Sequence, residues 1–297
     1  MKVTITGASG FVGQNLSAYL KANNFAVKPL SLRTQDWAAK IDGDEQAIIH
    51  LAGKAHDTKN TSESLEYFKI NTTLTKELFD EFIKSDIKDF IYFSSVKAAA
   101  DTVEGILTEE MPADPKTPYG QSKLQAENYI MSVKLPENKR VFIIRPCMIH
   151  GPGNKGNLNL LFSVVKKGIP YPLAAYKNKR SFLSIDNLCF GVEQLMLQPI
   201  PSGVYQFADD EALSTNELIS LIGQSLSAKV KLWSVPKGLI NTLAKVGDVT
   251  KLPLNSERLK KLTEDYIVSN EKIVKAIGKP FPVSAREGLI KTFNSFK

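Results

Sequence analysis

The chain opens on a short β-rich run over residues 2–6, passes through a glycine-spaced turn, and then sets Leu16, Tyr19 and Leu20 at helical spacing. That alternation recurs. Residues 25–30, 47–51, 89–93 and 141–144 are short apolar runs of the kind that fill buried strands. Between them, residues 64–84 place Leu65, Phe68, Leu74, Leu78 and Phe82 on one helical face, interrupted at Asn71. A further helix begins at Pro118, where a missing N–H costs nothing, with Thr117 ready to cap it. Strands and helices in this succession predict an α/β protein with a right-handed, doubly wound parallel sheet over residues 1–150. Beyond Gly151 the alternation weakens and Pro and Gly become frequent. Helices are expected over 158–167 and, from the capping box Ser214-Thr215-Asn216-Glu217, through Leu226. Strands are expected over 203–208 and 229–235, and an amphipathic helix over 284–296 closes the chain. Residues 151–297 thus read mainly as a smaller C-terminal α/β lobe walling a cleft at the sheet's carboxyl edge, with some segments returning to the first domain.

Composition narrows the class. The 297 residues are 43% hydrophobic and 23% charged, enough for one large domain plus a lobe. The first residues lack a signal-peptide layout, and no apolar run is long enough to span a bilayer, so membrane insertion is not expected. Cys147 and Cys189 are the only cysteines, which offers neither a disulfide framework nor a zinc quartet. A cytoplasmic protein without a structural metal is the expectation. The net charge of +7 has no Lys/Arg block or aromatic-basic interleaving, so nucleic-acid binding is not indicated. A cleft for an anionic ligand uses that excess more economically.

Candidate chemistry begins at Gly7-Ala8-Ser9-Gly10-Phe11-Val12-Gly13, a strand-to-helix turn. Gly7 permits the tight turn, Gly10 a close backbone approach to a pyrophosphate, and Gly13 close packing of the helix. The helix N-terminus offers free N–H groups and a positive dipole end. The spacing is one residue longer than the common Rossmann fingerprint, but in this context it points to a dinucleotide in a Rossmann sheet. At the end of the second strand, Ser31 and Arg33 replace the acid that usually bonds a ribose 2′-hydroxyl. Arg33 there favours NADP over NAD, the competing reading being a solvated arginine or one stacked on adenine. Leu51, Ala52 and Gly53 follow the third strand, where small residues let a cofactor lie against the backbone. His50 reads better as a packed strand histidine than as a catalytic one. Ser95 lies just past the fourth strand, at the edge where open parallel sheets bind ligands. Tyr119 and Lys123 stand four residues apart on one helical face. A phenol with an ordinary pKa of about 10 needs help to trade protons at neutral pH, and a neighbouring ammonium favours the phenolate.

Taken together, Thr6 to Gly13, His50-Leu51-Ala52-Gly53, Phe93-Ser94-Ser95, Pro118-Tyr119-Gly120-Gln121-Ser122-Lys123 and Arg145-Pro146 resemble the extended short-chain dehydrogenase/reductase family, also called the NAD-dependent epimerase/dehydratase family. His150-Gly151-Pro152-Gly153 is a further match, with His where relatives usually carry Tyr, and residues 180–188 resemble the family's arginine-bearing strand. The resemblance implies that Tyr119 is the acid/base, that Lys123 bonds the nicotinamide ribose and lowers the tyrosine's pKa, and that Ser95 orients the reacting oxygen. Gly7, Gly10 and Gly13 would hold the pyrophosphate, with Ser9 and Phe11 lining the turn and Pro146 on the cofactor side. Asn157 and Arg180 would contact the diphosphate of a sugar nucleotide. For Arg180 a solvated charge in the run Lys177-Asn178-Lys179-Arg180 is an equal alternative, and Arg258 reads more readily as a solvated charge than as a phosphate contact. The family's 4,6-dehydratases carry an Asp-Glu pair where this chain has Val96 and Lys97, so dehydration is not expected. The resemblance points to a 4-epimerase acting on a nucleotide-diphosphate sugar, or alternatively to an NADPH-dependent 4-keto-sugar reductase. It also implies a homodimer joined through two helices of each subunit. A non-catalytic dinucleotide-sensing module is the rival from another class.

Overall fold

A computed structural model describes residues 1–54, 64–154, 156–250 and 255–297. In chain order the elements begin with β1 (Lys2–Thr6), α1 (Phe11–Ala22), β2 (Ala26–Leu30), β3 (Ala47–His50), α2 (Ser64–Tyr67), a π-helical turn (Phe68–Thr73) and α3 (Leu74–Lys84). They continue through β4 (Asp89–Phe93), a 3₁₀ turn (Val96–Ala98), β5 (Ile106–Leu107), α4 (Pro118–Ser132), β6 (Arg140–Pro146), β7 (Met148–His150) and α5 (Asn157–Lys166). The remainder comprises β8 (Phe182–Ser184), α6 (Ile185–Leu197), β9 (Gly203–Phe207), α7 (Thr215–Leu226), α8 (Lys237–Thr250), α9 (Ser256–Thr263), β10 (Ile267–Val268), α10 (Glu271–Ile277) and α11 (Ala285–Asn294).

Six strands form one sheet in the order β2-β1-β3-β4-β6-β9, and every pairing is parallel. The order reverses at β1, which places a topological switch point between β1 and β3 at the carboxyl edge. β3 and β4 are buried along their whole length, as expected of central strands covered on both faces. One face packs against α1 and α6 through Leu16, Leu20, Leu188 and Val192; the other packs through Leu78, Phe79, Phe82, Ala126 and Ile130 of α3 and α4. No helix among the described residues is long and apolar enough to cross a membrane.

Two expectations shift, and one segment of the C-terminal half rejoins the sheet. The strand expected over 203–208 is β9, and it extends the central sheet beside β6. No strand forms over 229–235: Leu232 and Ser234 make only isolated bridges to Tyr171 and Leu173. The partner segment carries Pro170 and Pro172, which lack the N–H groups a ladder needs. The single helix expected over 64–84 is broken by the π-helical turn. Its wider turn resets the phase of the apolar face, so Leu78 and Phe82 are fully buried while Leu65 is exposed. The side chain of Arg258 lies outside the described residues.

The outer lobe has its own packing. Leu158 and Phe162 of α5, Leu218 and Ile222 of α7, and Leu289 and Phe293 of α11 form one cluster. The α7 and α11 helices open on capping boxes, Ser214 with Glu217 and Ser284 with Glu287. Each satisfies two otherwise orphaned N–H groups and fixes where the helix starts.

Candidate active site

After β1 the chain reverses through Gly7, whose φ is +69°. A Cβ there would stand 2.7 Å from the Ala52 nitrogen, so the turn packs directly on the segment that follows β3. Gly13, in the first turn of α1, would push a Cβ to within 2.3 Å of the Gly7 carbonyl oxygen and 2.6 Å of Ala8 Cα. Gly13 therefore seats α1 on the turn itself. Gly10 differs: a Cβ there would meet only the Gly7 oxygen, at 3.4 Å. Its smallness is not required by the protein's own packing. Gly10 is also the N-cap of α1, offers no capping side chain, and is followed by a first turn without an acid. The orphan N–H groups of that turn make an anion cradle, and the backbone fits a dinucleotide pyrophosphate. Ser9 and Phe11 flank Gly10, and Phe11 also lies near Gly151, where an added Cβ would come 3.4 Å from the Phe11 ring.

The next layer joins the segment after β3 to α4. Asn71, buried in the π-helical turn, accepts from the Lys54 N–H at 2.7 Å and donates to the Lys54 carbonyl at 3.1 Å. Its amide also donates to Ser122 Oγ at 3.0 Å. A Cβ on Gly53 would come 3.0 Å from Asn71 Oδ1 and 3.2 Å from Lys123 Nζ. The backbone at Gly53 thus runs beside the Lys123 ammonium. His50 is sealed beneath, with Nδ1 2.7 Å from Thr6 Oγ1 and Nε2 2.9 Å from Thr75 Oγ1. Burial holds its pKa down at about 3, so it is a neutral packed histidine.

Ser95 follows β4, and its Oγ accepts from the Lys97 N–H at 3.2 Å, fixing the turn. Its hydroxyl is also the neighbour that favours the ionised form of the Tyr119 phenol. Tyr119 occupies the second position of α4, after Thr117 as N-cap and Pro118 at N1, as the sequence predicts. Asp101 anchors this start, accepting from the Thr117 N–H at 3.1 Å and the Thr117 hydroxyl at 2.9 Å. Burial pushes the Tyr119 phenol above its ordinary pKa, and the Ser95 hydroxyl pulls it back. Lys123, one turn on, is buried and donates to the Phe93 carbonyl at 2.8 Å. Burial lowers its pKa to about 8, with Glu127 acting in the opposite direction. The ammonium therefore survives at neutral pH.

Two neighbours were missed. Tyr67 packs edge-on to Tyr119, with ring centroids 6.0 Å apart. Glu127 continues the α4 stripe at the next i+4 step. It accepts from Arg145 Nε at 3.0 and 3.1 Å and from the Ser94 hydroxyl, all buried. The even spacing of Tyr119, Lys123 and Glu127 was visible, but an acid on that face is indistinguishable from a solvated one without the Arg145 contact. Pro146 is buried at the end of β6, beside Phe207 of β9. At the rim, Arg33 is exposed beyond β2, its N–H 3.4 Å from Ser31 Oγ.

On the lobe side, Arg180 is three-quarters buried, so it is not a solvated charge; its Nη2 lies 3.6 Å from Glu264 Oε1. Backbone bridges tie it to Leu213 and to Tyr266. The Tyr266 hydroxyl donates to the carbonyls of Val96, at 3.2 Å, and Ala100, at 2.7 Å. That links Arg180 to the turn beside Ser95. Asn157 is exposed at the start of α5. Lys97, where a dehydratase carries an acid, donates to the Asp101 carbonyl at 2.7 Å. The acidic group Asp42, Asp44 and Glu45 lies at the opposite, amino edge of the sheet and is engaged by Lys2 and Lys28.

Comparison with known proteins places this geometry. The chain is 32% identical over 259 residues to a UDP-glucose 4-epimerase of Vibrio cholerae, covering 79% of this chain and 78% of that one. It is 26% identical over 253 residues to a GDP-6-deoxy-D-mannose reductase of Pseudomonas aeruginosa, covering 79% and 83%. Among solved structures, RMD from Pseudomonas aeruginosa complexed with NADPH superposes with a TM-score of 0.77 at 22% identity, over 99% of this chain and 98% of that one. A family model matches residues 3–205, and with it the chain belongs to the NAD dependent epimerase/dehydratase family.

Proposed function

We propose that this protein is an NAD(P)-dependent enzyme that inverts C4 of a nucleotide-diphosphate sugar. The observation that carries the reading is Tyr119 beside Ser95 and one helical turn from a buried Lys123 ammonium, set at the carboxyl edge beside the glycine turn. A bound nicotinamide supplies the hydride acceptor and donor for the sugar carbon. Tyr119 removes the C4 hydroxyl proton and later returns one. Ser95 holds the same oxygen in line, and Lys123 keeps positive charge next to the developing phenolate. Gly7, Ser9, Gly10, Phe11 and Gly13 hold the pyrophosphate, with the 51–53 backbone and Pro146 along the rest of the cofactor. Arg180 and Asn157 serve the sugar nucleotide's diphosphate. The chain works in the cytoplasm as a homodimer with α4 in the interface, a state that light scattering checks.

A second reading has a specific observation behind it. Ser31 and Arg33 stand after β2 where an NAD-preferring site usually has an acid, which suits NADP and a reductase that exchanges its cofactor. One experiment separates the two. UDP-glucose, UDP-N-acetylglucosamine and their C4 epimers are incubated with the enzyme without added reductant, and products are resolved by NMR. Interconversion at C4 supports the epimerase. No interconversion, with oxidation of NADPH by a 4-keto-sugar nucleotide, supports the reductase. Neither activity, with cofactor bound, would leave only the sensing module.

A further inference from the structure

Helix α8 carries two neighbouring apolar stripes, and among the described residues only one of them is covered. Ile240, Ala244 and Gly247, at i, i+4 and i+7, are buried. Ile240 and Ala244 join Tyr171, Leu173, Ile219 and Leu259 in a compact cluster. Leu239, Leu243 and Val246 repeat the same spacing one residue earlier, about 100° around the helix. They are 54%, 49% and 47% exposed. Just before the helix, Trp233 is 55% exposed, and its N–H donates to the Tyr171 carbonyl at 2.8 Å, which ties it to the same cluster. Single exposed leucines are ordinary, but a three-step stripe on one helix, with an exposed tryptophan four residues before that helix, is an apolar surface that asks for a partner.

In the segment that leads into α8, and in the one bridged to it, the charge is one-sided, while α9, packed against α8, carries Glu257. Residues 227–247 contain Lys229, Lys231, Lys237 and Lys245 and no acid. The segment bridged to it, residues 157–180, has five Lys or Arg and again no acid. The first acid beyond is Asp248, which is occupied by the Ser256 N–H at 2.8 Å and hydroxyl at 2.6 Å. Leucine and valine on one face, with lysine beside them and an exposed tryptophan at the entry to the helix, is the composition of a helix that lies in a lipid–water interface. Each basic residue held near an anionic leaflet adds to that attraction. A protein partner would need a matching acidic rim around an apolar strip, whereas an anionic bilayer supplies both at once.

We propose that α8 and Trp233 dock this enzyme peripherally on an anionic membrane surface, with the Leu239, Leu243 and Val246 stripe entering the headgroup boundary and no segment spanning the bilayer. The chain's two tryptophans make this readable, because Trp37 is buried and Trp233 is exposed. The test mixes the full-length protein with vesicles of phosphatidylcholine alone or with about one-third phosphatidylglycerol. Sedimentation gives the bound fraction and tryptophan emission reports insertion. The expected result is binding at least about tenfold tighter to the anionic vesicles, with a blue shift, both reversed near 1 M salt where the screening length falls to ~3 Å. Leu239→Gln with Leu243→Gln should abolish the binding and the shift while leaving the melting temperature and turnover of soluble substrate unchanged. Absence of vesicle binding by the parent overturns the proposal, as does equal binding to neutral and anionic vesicles. A dimer in vesicle-free solution that the double substitution dissociates also overturns it and assigns the stripe to a second copy of the chain.

Discussion

Tyr119 is the residue on which the chemistry turns, and its environment makes the prediction sharp. Ser95 favours its ionised form while its ring packs against Tyr67. Tyr119→Phe keeps the ring contact and removes only the oxygen. Steady-state kinetics should show kcat reduced by about 10²–10⁴, with cofactor affinity and melting temperature kept. Activity within a few-fold of the parent would refute the assignment. Lys123 adds a pH dependence. Its pKa is lowered to about 8, so the ammonium is present below that value and lost above it. kcat/KM, which reports the free enzyme, should therefore fall on an alkaline limb near pH 8. Stability moves the other way. Between about 8 and the ordinary lysine value the unfolded chain binds more protons than the folded one, so stability rises with pH across that window. Lys123→Met should abolish that rise in urea unfolding at graded pH. Arg33 carries the cofactor choice: NADP should bind at least as tightly as NAD, and Arg33→Ala should weaken NADP alone by about 1–3 kcal/mol. Equal weakening of both cofactors in parallel titrations would mean that Arg33 stacks or is solvated.

Among the elements, the turn from β1 into α1 separates two kinds of glycine that the sequence motif presents alike. Gly13 is required by the fold, since even one added carbon lands 2.3 Å from the Gly7 oxygen. Gly10 has an ordinary φ of −76° and 3.4 Å of clearance, so the protein itself tolerates a side chain there. Gly13→Ala should cost about 1–3 kcal/mol of stability by overpacking, visible as a lower melting temperature. Gly10→Val should melt close to the parent and bind both dinucleotides severely less tightly by calorimetry. An unchanged dissociation constant in Gly10→Val would make the loop purely structural. Helix α4 similarly combines two duties. Its Tyr119 and Lys123 face the site, and its Glu127 neutralises Arg145 underneath.

For the molecule as a whole, legibility followed the range of the interactions. The doubly wound sheet, the capped start of α4 and the glycine turn are written in local spacing, so residues 2–6 and 89–93 match β1 and β4 at both ends. The departures came from contacts distant in sequence. β9 joins β6 across some 60 residues, Glu127 meets Arg145 from another element, and Pro170 and Pro172 interrupt the pairing expected of residues 229–235. Arg180 is the case where sequence left two readings equal; its guanidinium is three-quarters withdrawn from solvent and lies 3.6 Å from Glu264. Its bridges run to Leu213 in the outer lobe and to Tyr266, whose hydroxyl holds the turn after Ser95. A diphosphate bound there would draw the lobe toward the chemistry. Arg180→Gln removes the charge and keeps a hydrogen-bonding side chain of similar reach. KM for the sugar nucleotide should rise about 10–100-fold, the value of one or two charge-assisted hydrogen bonds, while the dissociation constant for the dinucleotide stays within about twofold. A rise in both constants together with a lower melting temperature would make Arg180 a strut between the lobes that touches no phosphate.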